Sequence, residues 1–169
     1  IIRYAWGFWA CETAHKLMMG RCRNIPSGAY FYPDRPDTML FTWALSKAYG
    51  SQWIPTPEGS AAPKKALEVE AVLRNFEDTH ASLYRKPERI ATIGFFDSRK
   101  NRELYEYTNE RSYPSALAWM HTCWRRNIPF DLFCEQELPA RLAKFKTVVL
   151  NEIALLCDEQ ISQFAAFVR

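Results

Sequence analysis

The groups in this sequence whose types and spacing could do chemistry are its cysteines, its histidines and one polar pair at the end of an apolar strand. Cys11, Cys22, Cys123, Cys134 and Cys157 fall at wide, irregular spacings with no C-x-x-C. That spacing signals neither a zinc knuckle nor a disulfide framework, so buried free thiols in a reducing compartment are expected. Cys157 stands just before Asp158 at a predicted helix start, where a helix dipole can activate a thiol. A cysteine nucleophile also needs a sharp, glycine-flanked elbow and a histidine base, and Leu156 and Asp158 supply no elbow. His15, His80 and His121 each lie on a helical stripe with no carboxylate or cysteine at ligand spacing. Packed or half-exposed imidazoles are expected there, and no metal site. Asp97 and Ser98 close an apolar strand, the position at which open α/β domains bind ligands, but no glycine-rich phosphate loop follows them.

The elements that must position these groups alternate between helix and strand. Tyr4, Phe8, Cys11, His15 and Met18 have helical spacing, so Ile2 to Met19 reads as a helix ending near Gly20. The rival reading makes Trp6 to Cys11 a buried strand with Glu12 at its end. Proline and glycine then mark a loop around a short strand at Ala29 to Tyr32. In that loop Tyr30, Phe31, Tyr32 and Arg35 could rim a site, or serve structure alone. Asp37 caps a helix over Thr38 to Ala48 that Gly50 ends. Gln52 to Pro55 reads as a short buried strand, and Pro63 opens a long helix to about Tyr84. Its buried side would be Ala66, Leu67, Val69, Val72, Leu73, Phe76, His80 and Leu83.

After the connector Lys86-Pro87-Glu88, Ile90 to Phe96 is an apolar strand of the kind that parallel sheets bury on both faces. The charged stretch Arg99 to Tyr113 is too polar for a core element. Pro114 opens a helix that Asn127 stops. Ile128 to Cys134 is a strand, Leu138 to Phe145 a short helix and Thr147 to Leu150 a third strand. Asp158 caps the last helix, with Ile161, Phe164, Ala165 and Val168 on its face. This alternation implies right-handed crossovers and a parallel sheet.

Composition narrows the classes further. The net charge of +3 is dispersed, with only short clusters such as Arg125-Arg126, so no basic face for nucleic acid is expected. Neither a signal peptide nor a membrane-spanning run is seen, which points to a cytoplasmic location. The chain starts Ile1-Ile2-Arg3-Tyr4 and finishes within an amphipathic helix, so a piece of a longer protein is expected.

Two stretches carry a family resemblance. Arg89-Ile-Ala-Thr-Ile-Gly-Phe-Phe96 and Phe145-Lys-Thr-Val-Val-Leu-Asn-Glu-Ile-Ala-Leu-Leu-Cys-Asp-Glu-Gln160 resemble the trimerisation domain that follows the (β/α)8 barrel in β-galactosidase-type glycoside hydrolases. Leu156-Cys157-Asp158-Glu159-Gln160 is similar to that family's Leu-Ser-Asp-Glu-Gln, with cysteine for serine, and Asn127 to Cys134 resembles its second strand. The resemblance implies two domains. Residues 1–86 would be the C-terminal part of a (β/α)8 barrel, and 87–169 the start of a flavodoxin-like, class I glutamine-amidotransferase-like trimerisation domain.

It also implies a carbohydrate substrate, a homotrimer, no cofactor and hydrolysis by a carboxylate pair mostly outside this chain. Glu12 is then a candidate nucleophile if it ends a strand, and a solvent-facing or capping residue if it lies on a helix. Trp53 and Glu58 are candidate substrate-binding residues near the last strand, or respectively core and ordinary loop charge. Two other readings stay open: a non-catalytic assembly or carbohydrate-binding protein on the same frame, and a cysteine-dependent amidotransferase-like domain.

Overall fold

The computed structural model describes residues 13–21, 27–33, 35–55, 64–84, 90–106 and 112–168. In chain order, helix α1 covers 13–21, followed by β1 (Gly28–Phe31), α2 (Pro36–Ala48), β2 (Gln52–Pro55) and α3 (Lys64–Thr79). Then come β3 (Ile93–Asp97), the single turn α4 (Arg99–Asn101), α5 (Ser112–Arg125), β4 (Phe130–Cys134), α6 (Leu138–Leu142), β5 (Thr147–Val149) and α7 (Asp158–Val168). The protein is α/β. Its chain forms two compact units, one of Ile25–Glu88 and one of Ile1–Asn24 with Arg89–Arg169. Helix α1 groups with the C-terminal sheet. Among the described residues no helix is long and apolar enough to cross a membrane.

In the unit Ile25–Glu88, β1 and β2 pair in parallel with Gly28 opposite Gln52 and Phe31 opposite Pro55. Helix α2 starts earlier than an Asp37 cap would allow, because Pro36 needs no N–H partner in a first turn. The Thr38 hydroxyl does the capping: it accepts from the Arg35 N–H at 3.1 Å and donates to the Arg35 carbonyl at 2.8 Å. Asp37 instead sits in the first turn, where a negative charge suits the helix dipole. Gly50 ends α2 at φ 63, with its N–H on Lys47 O and the Ser51 N–H on Ser46 O. This closure needs a left-handed residue, which glycine supplies without strain.

The core of this unit is Met39, Trp53, Ala66 and Leu73, with Phe31, Trp43 and Val69 against it. Of the eight residues expected on the buried side of α3, only Ala66 and Leu73 are buried, and Val72 is 67% exposed. The apolar stripe of α3 is wider than the surface that α2 and two strands offer it. The helix also stops at Thr79, with Ala81–Tyr84 continuing as a 3-10 turn.

The second unit holds a three-stranded parallel sheet in the order β4-β3-β5. Strand β3 begins at Ile93 and not Ile90, because its ladder starts where Phe130 and Thr147 come opposite Ile93. Ile90 is left 89% exposed. Since the chain leaves β3 towards β4 and returns past it to β5, right-handed crossovers put their helices on opposite faces. On one face Phe96 and Phe133 meet Leu138, Leu142, Phe145 and Phe164. The Phe96 and Phe164 rings stand edge to face with centroids 5.2 Å apart. Gly94 admits this packing: a Cβ there would lie 2.5 Å from the Phe145 ring. Asn127, at φ 51, closes α5 as Gly50 closes α2, its N–H on Trp124 O and the Ile128 N–H on Cys123 O.

One charge interrupts the apolar interior. Asp131, in the middle of β4, is 0% exposed. Its Oδ1 accepts from Arg21 Nη2 at 2.5 Å and from the Leu132 N–H at 2.9 Å, and its Oδ2 accepts from Arg141. A buried carboxylate survives only when paired and hydrogen-bonded, and here the partners come from α1 and α6. This ion pair fastens α1 to the sheet. Asp131→Asn keeps the shape but leaves the two guanidiniums without their anion; we expect a loss of about 3 kcal/mol in chemical denaturation. A loss below about 1 kcal/mol would mean that the pairing does not hold the unit together.

Candidate functional site

Because β4 and β5 flank β3 on opposite sides, a crevice opens at the C-terminal ends of β3 and β5, where open α/β sheets receive ligands. A cavity of about 40 Å³ lies there. Asp97, Ser98 and Arg102 reach it from the segment leaving β3, Asn151 from the turn after β5 and His15 from α1. Phe95, Leu132 and Met120 supply apolar wall.

The segments carrying these groups are held by their own chemistry. Ser98 is extended and its hydroxyl accepts from the Asn101 N–H at 3.0 Å, capping the turn α4. Asn101 is 1% exposed although it lies in a charged stretch. Its Oδ1 accepts from the N–H groups of Ala154 (2.7 Å) and Leu155 (3.2 Å), and its Nδ2 donates to Glu152 O at 3.2 Å. One carboxamide thus ties the segment after β3 to the turn after β5. It steadies a turn in which Glu152 is left-handed, at φ 50. The Ser115 hydroxyl donates to Asn151 Oδ1 at 2.9 Å and fixes that amide from α5. Arg102 lies 3.3 Å from the Asp97 carboxylate, with its other terminal nitrogen 3.9 Å from Met19 Sδ. The cavity therefore presents an anion beside a cation, with an imidazole, a carboxamide and a hydroxyl around them.

The candidates read from sequence are distributed differently. Glu12 and Glu58, like Cys11 and Cys22, lie outside the described residues. Trp53 is 1% exposed, its indole N–H donates to Thr42 Oγ1 at 3.1 Å, and Arg74 lies over its ring. Its ring belongs to the core and offers no open face to a sugar. In the aromatic loop Phe31 packs on the same core, Tyr32 is exposed and Arg35 pairs with Asp37. His15 is buried at the cavity, His80 stacks on Phe76 at the surface, and His121 is half-buried on α5. Among the described residues no group of three or more histidine, cysteine or acidic side chains could hold a metal ion.

Cys123 and Cys134 are buried, and burial pushes the Cys123 thiol above its ordinary pKa. Cys157 is exposed and precedes α7. Its carbonyl accepts the first helical bond, from the Ile161 N–H at 3.0 Å, and its N–H donates to Gln160 Oε1 at 2.9 Å. Cys157 is thus the N-cap in place of Asp158, which lies in the first turn, and Gln160 forms the returning half of a capping box.

The strand end Asp97-Ser98 is legible in the sequence, whereas Asn101, Arg102 and Asn151 are not, although Ser98-x-x-Asn101 directly after an apolar strand is itself a capping signal. Comparison with protein-family models, with characterised proteins and with solved structures finds no match.

Two substitutions test this arrangement. Asn101→Ala strands the Ala154 and Leu155 N–H groups, and we expect about 2–4 kcal/mol of destabilisation, with loss of amide-exchange protection confined first to residues 151–155. Cys157→Ser gives α7 the oxygen acceptor that its cap lacks, and should raise stability by about 0.5–1 kcal/mol in thermal melts.

Proposed function

We propose that this chain is part of a β-galactosidase-type glycoside hydrolase, joining the last elements of its (β/α)8 barrel to the opening of a flavodoxin-like trimerisation domain. The observation that carries the reading is the strand order β4-β3-β5. Counted within its own sheet it runs 2-1-3, the opening of a flavodoxin-like sheet, where a dinucleotide-binding sheet opens 3-2-1. The capping geometry at Cys157 adds support, since Leu156 to Gln160, the most specific stretch of the resemblance, does a definite job at the start of α7. The parallel β1-α2-β2-α3 run is the kind of unit from which a (β/α)8 barrel is built.

On this reading hydrolysis uses two carboxylates at the C-terminal ends of barrel strands, with no cofactor. Glu12 is the candidate nucleophile within the chain, and its partner lies upstream. Glu58 remains a candidate substrate contact, whereas Trp53 supports the barrel from its core. The substrate is a carbohydrate, the assembly a homotrimer, and the compartment the cytoplasm.

A second reading, a non-catalytic carbohydrate-binding or assembly protein on the same frame, draws on the cavity, where Asp97 is ion-paired with Arg102 and is the one carboxylate among the described lining residues. The cysteine-dependent reading has less to support it: among the described residues no cysteine lines the cavity, and Cys157 is occupied as a cap.

The protein carrying this chain should release nitrophenol from a nitrophenyl β-galactoside and sediment as a trimer. Glu12→Gln should abolish turnover, because an amide in place of the nucleophilic carboxylate cannot form the glycosyl-enzyme bond. Trimer without turnover would favour the second reading, and turnover unaffected by Glu12→Gln would move the nucleophile elsewhere.

A further inference from the structure

We propose that the cavity at the ends of β3 and β5 is a binding site for a small neutral hydroxylated ligand, a vicinal diol presented by a polyol or by one rim of a sugar. The described residues that line it all belong to the unit of Ile1–Asn24 and Arg89–Arg169.

Charge decides the ligand class. Asp97 and Arg102 face the same space with carboxylate and guanidinium 3.3 Å apart. An anion drawn by Arg102 meets Asp97, and a cation drawn by Asp97 meets Arg102. A hydroxyl suffers neither repulsion, since it donates to a carboxylate and accepts from a guanidinium. Two neighbouring hydroxyls can therefore bridge the pair without separating it. Asn151, Ser98 and His15 line the same cavity.

Shape points the same way. Phe95, Leu132 and Met120 give apolar wall for the C–H side of such a ligand. A volume of about 40 Å³ holds about three waters. That suits a diol group and excludes a whole pyranose ring, the remainder of which would project outward. The walls are also set in advance: Asn101 binds the segment after β3 to the turn after β5, and Ser115 fixes Asn151. Ordering them costs little at binding, which lets a small ligand be held at all.

The test is an NMR titration of the whole chain with meso-erythritol at pH 8, above the ordinary imidazole range. Sodium acetate and ethylammonium chloride are run at matched ionic strength. Erythritol should shift the His15 ring and the Asn151 side-chain amide saturably, with a Kd in the millimolar range, and the two ions should not. Ala116→Leu fills the cavity from α5 while leaving the charges of Asp97 and Arg102 in place, and should weaken binding at least tenfold while the rest of the spectrum stays dispersed. Arg102→Lys, which keeps the charge and loses the fork, should weaken it less than Ala116→Leu. The proposal is overturned by an absence of saturable shifts, by equal or tighter binding of acetate or ethylammonium, or by erythritol binding that Ala116→Leu leaves intact. None of these outcomes depends on whether the protein cleaves glycosides.

Discussion

The placement of one carboxylate governs the C-terminal unit. Asp131 sits in a strand whose neighbours Phe130, Leu132, Phe133 and Cys134 are all buried, and it is itself closed to solvent. An ionised carboxylate in such surroundings is tolerable only with cations and N–H donors at contact distance. It finds one cation in α1 and the other in α6. The need to neutralise Asp131 therefore brings α1, whose Arg21 lies 110 residues away, to the same strand as α6, whose Arg141 lies 10 residues on. That recruitment explains why α1 groups with the sheet, and it brings His15 of α1 to the crevice at the strand ends.

The crevice is a consequence of topology. With β3 central and its two successors on either side, the segments leaving β3 and β5 part company, and the gap between them is lined by whatever follows each strand. Here those segments are polar, and their backbone groups would be costly to leave unsatisfied near the interior. The Asn101 carboxamide meets that need with three hydrogen bonds across the gap. The same residues that satisfy the local backbone groups also fix the walls of the cavity, so a preformed polar site arises without a glycine-rich loop.

Much of the element pattern was legible because it rests on local chemistry. Gly50 and Asn127 announce helix ends by tolerating positive φ, and both are found there. The apolar runs around Phe95 and Leu132 announce strands buried on two faces. Boundaries shifted where a partner set them: β3 lost Ile90 because no strand comes opposite it, and α2 gained Pro36 because Thr38 could cap Arg35 by side chain. The candidate site was legible only as the strand end Asp97-Ser98. Asn101 was hidden in a charged stretch, and its burial depends on carbonyl and N–H groups about fifty residues further along the chain.

The sequence by itself determined the alternation of helix and strand, the parallel sense of the sheets and the chemistry of the caps, since each follows from periods and side chains within a few residues. Only the tertiary structure decided the order β4-β3-β5, the attachment of α1 to that sheet, the burial of Trp53 and the cavity between the strand ends. Those features depend on contacts such as Arg21 to Asp131, 110 residues apart, and no local periodicity carries information about which distant charge will meet which.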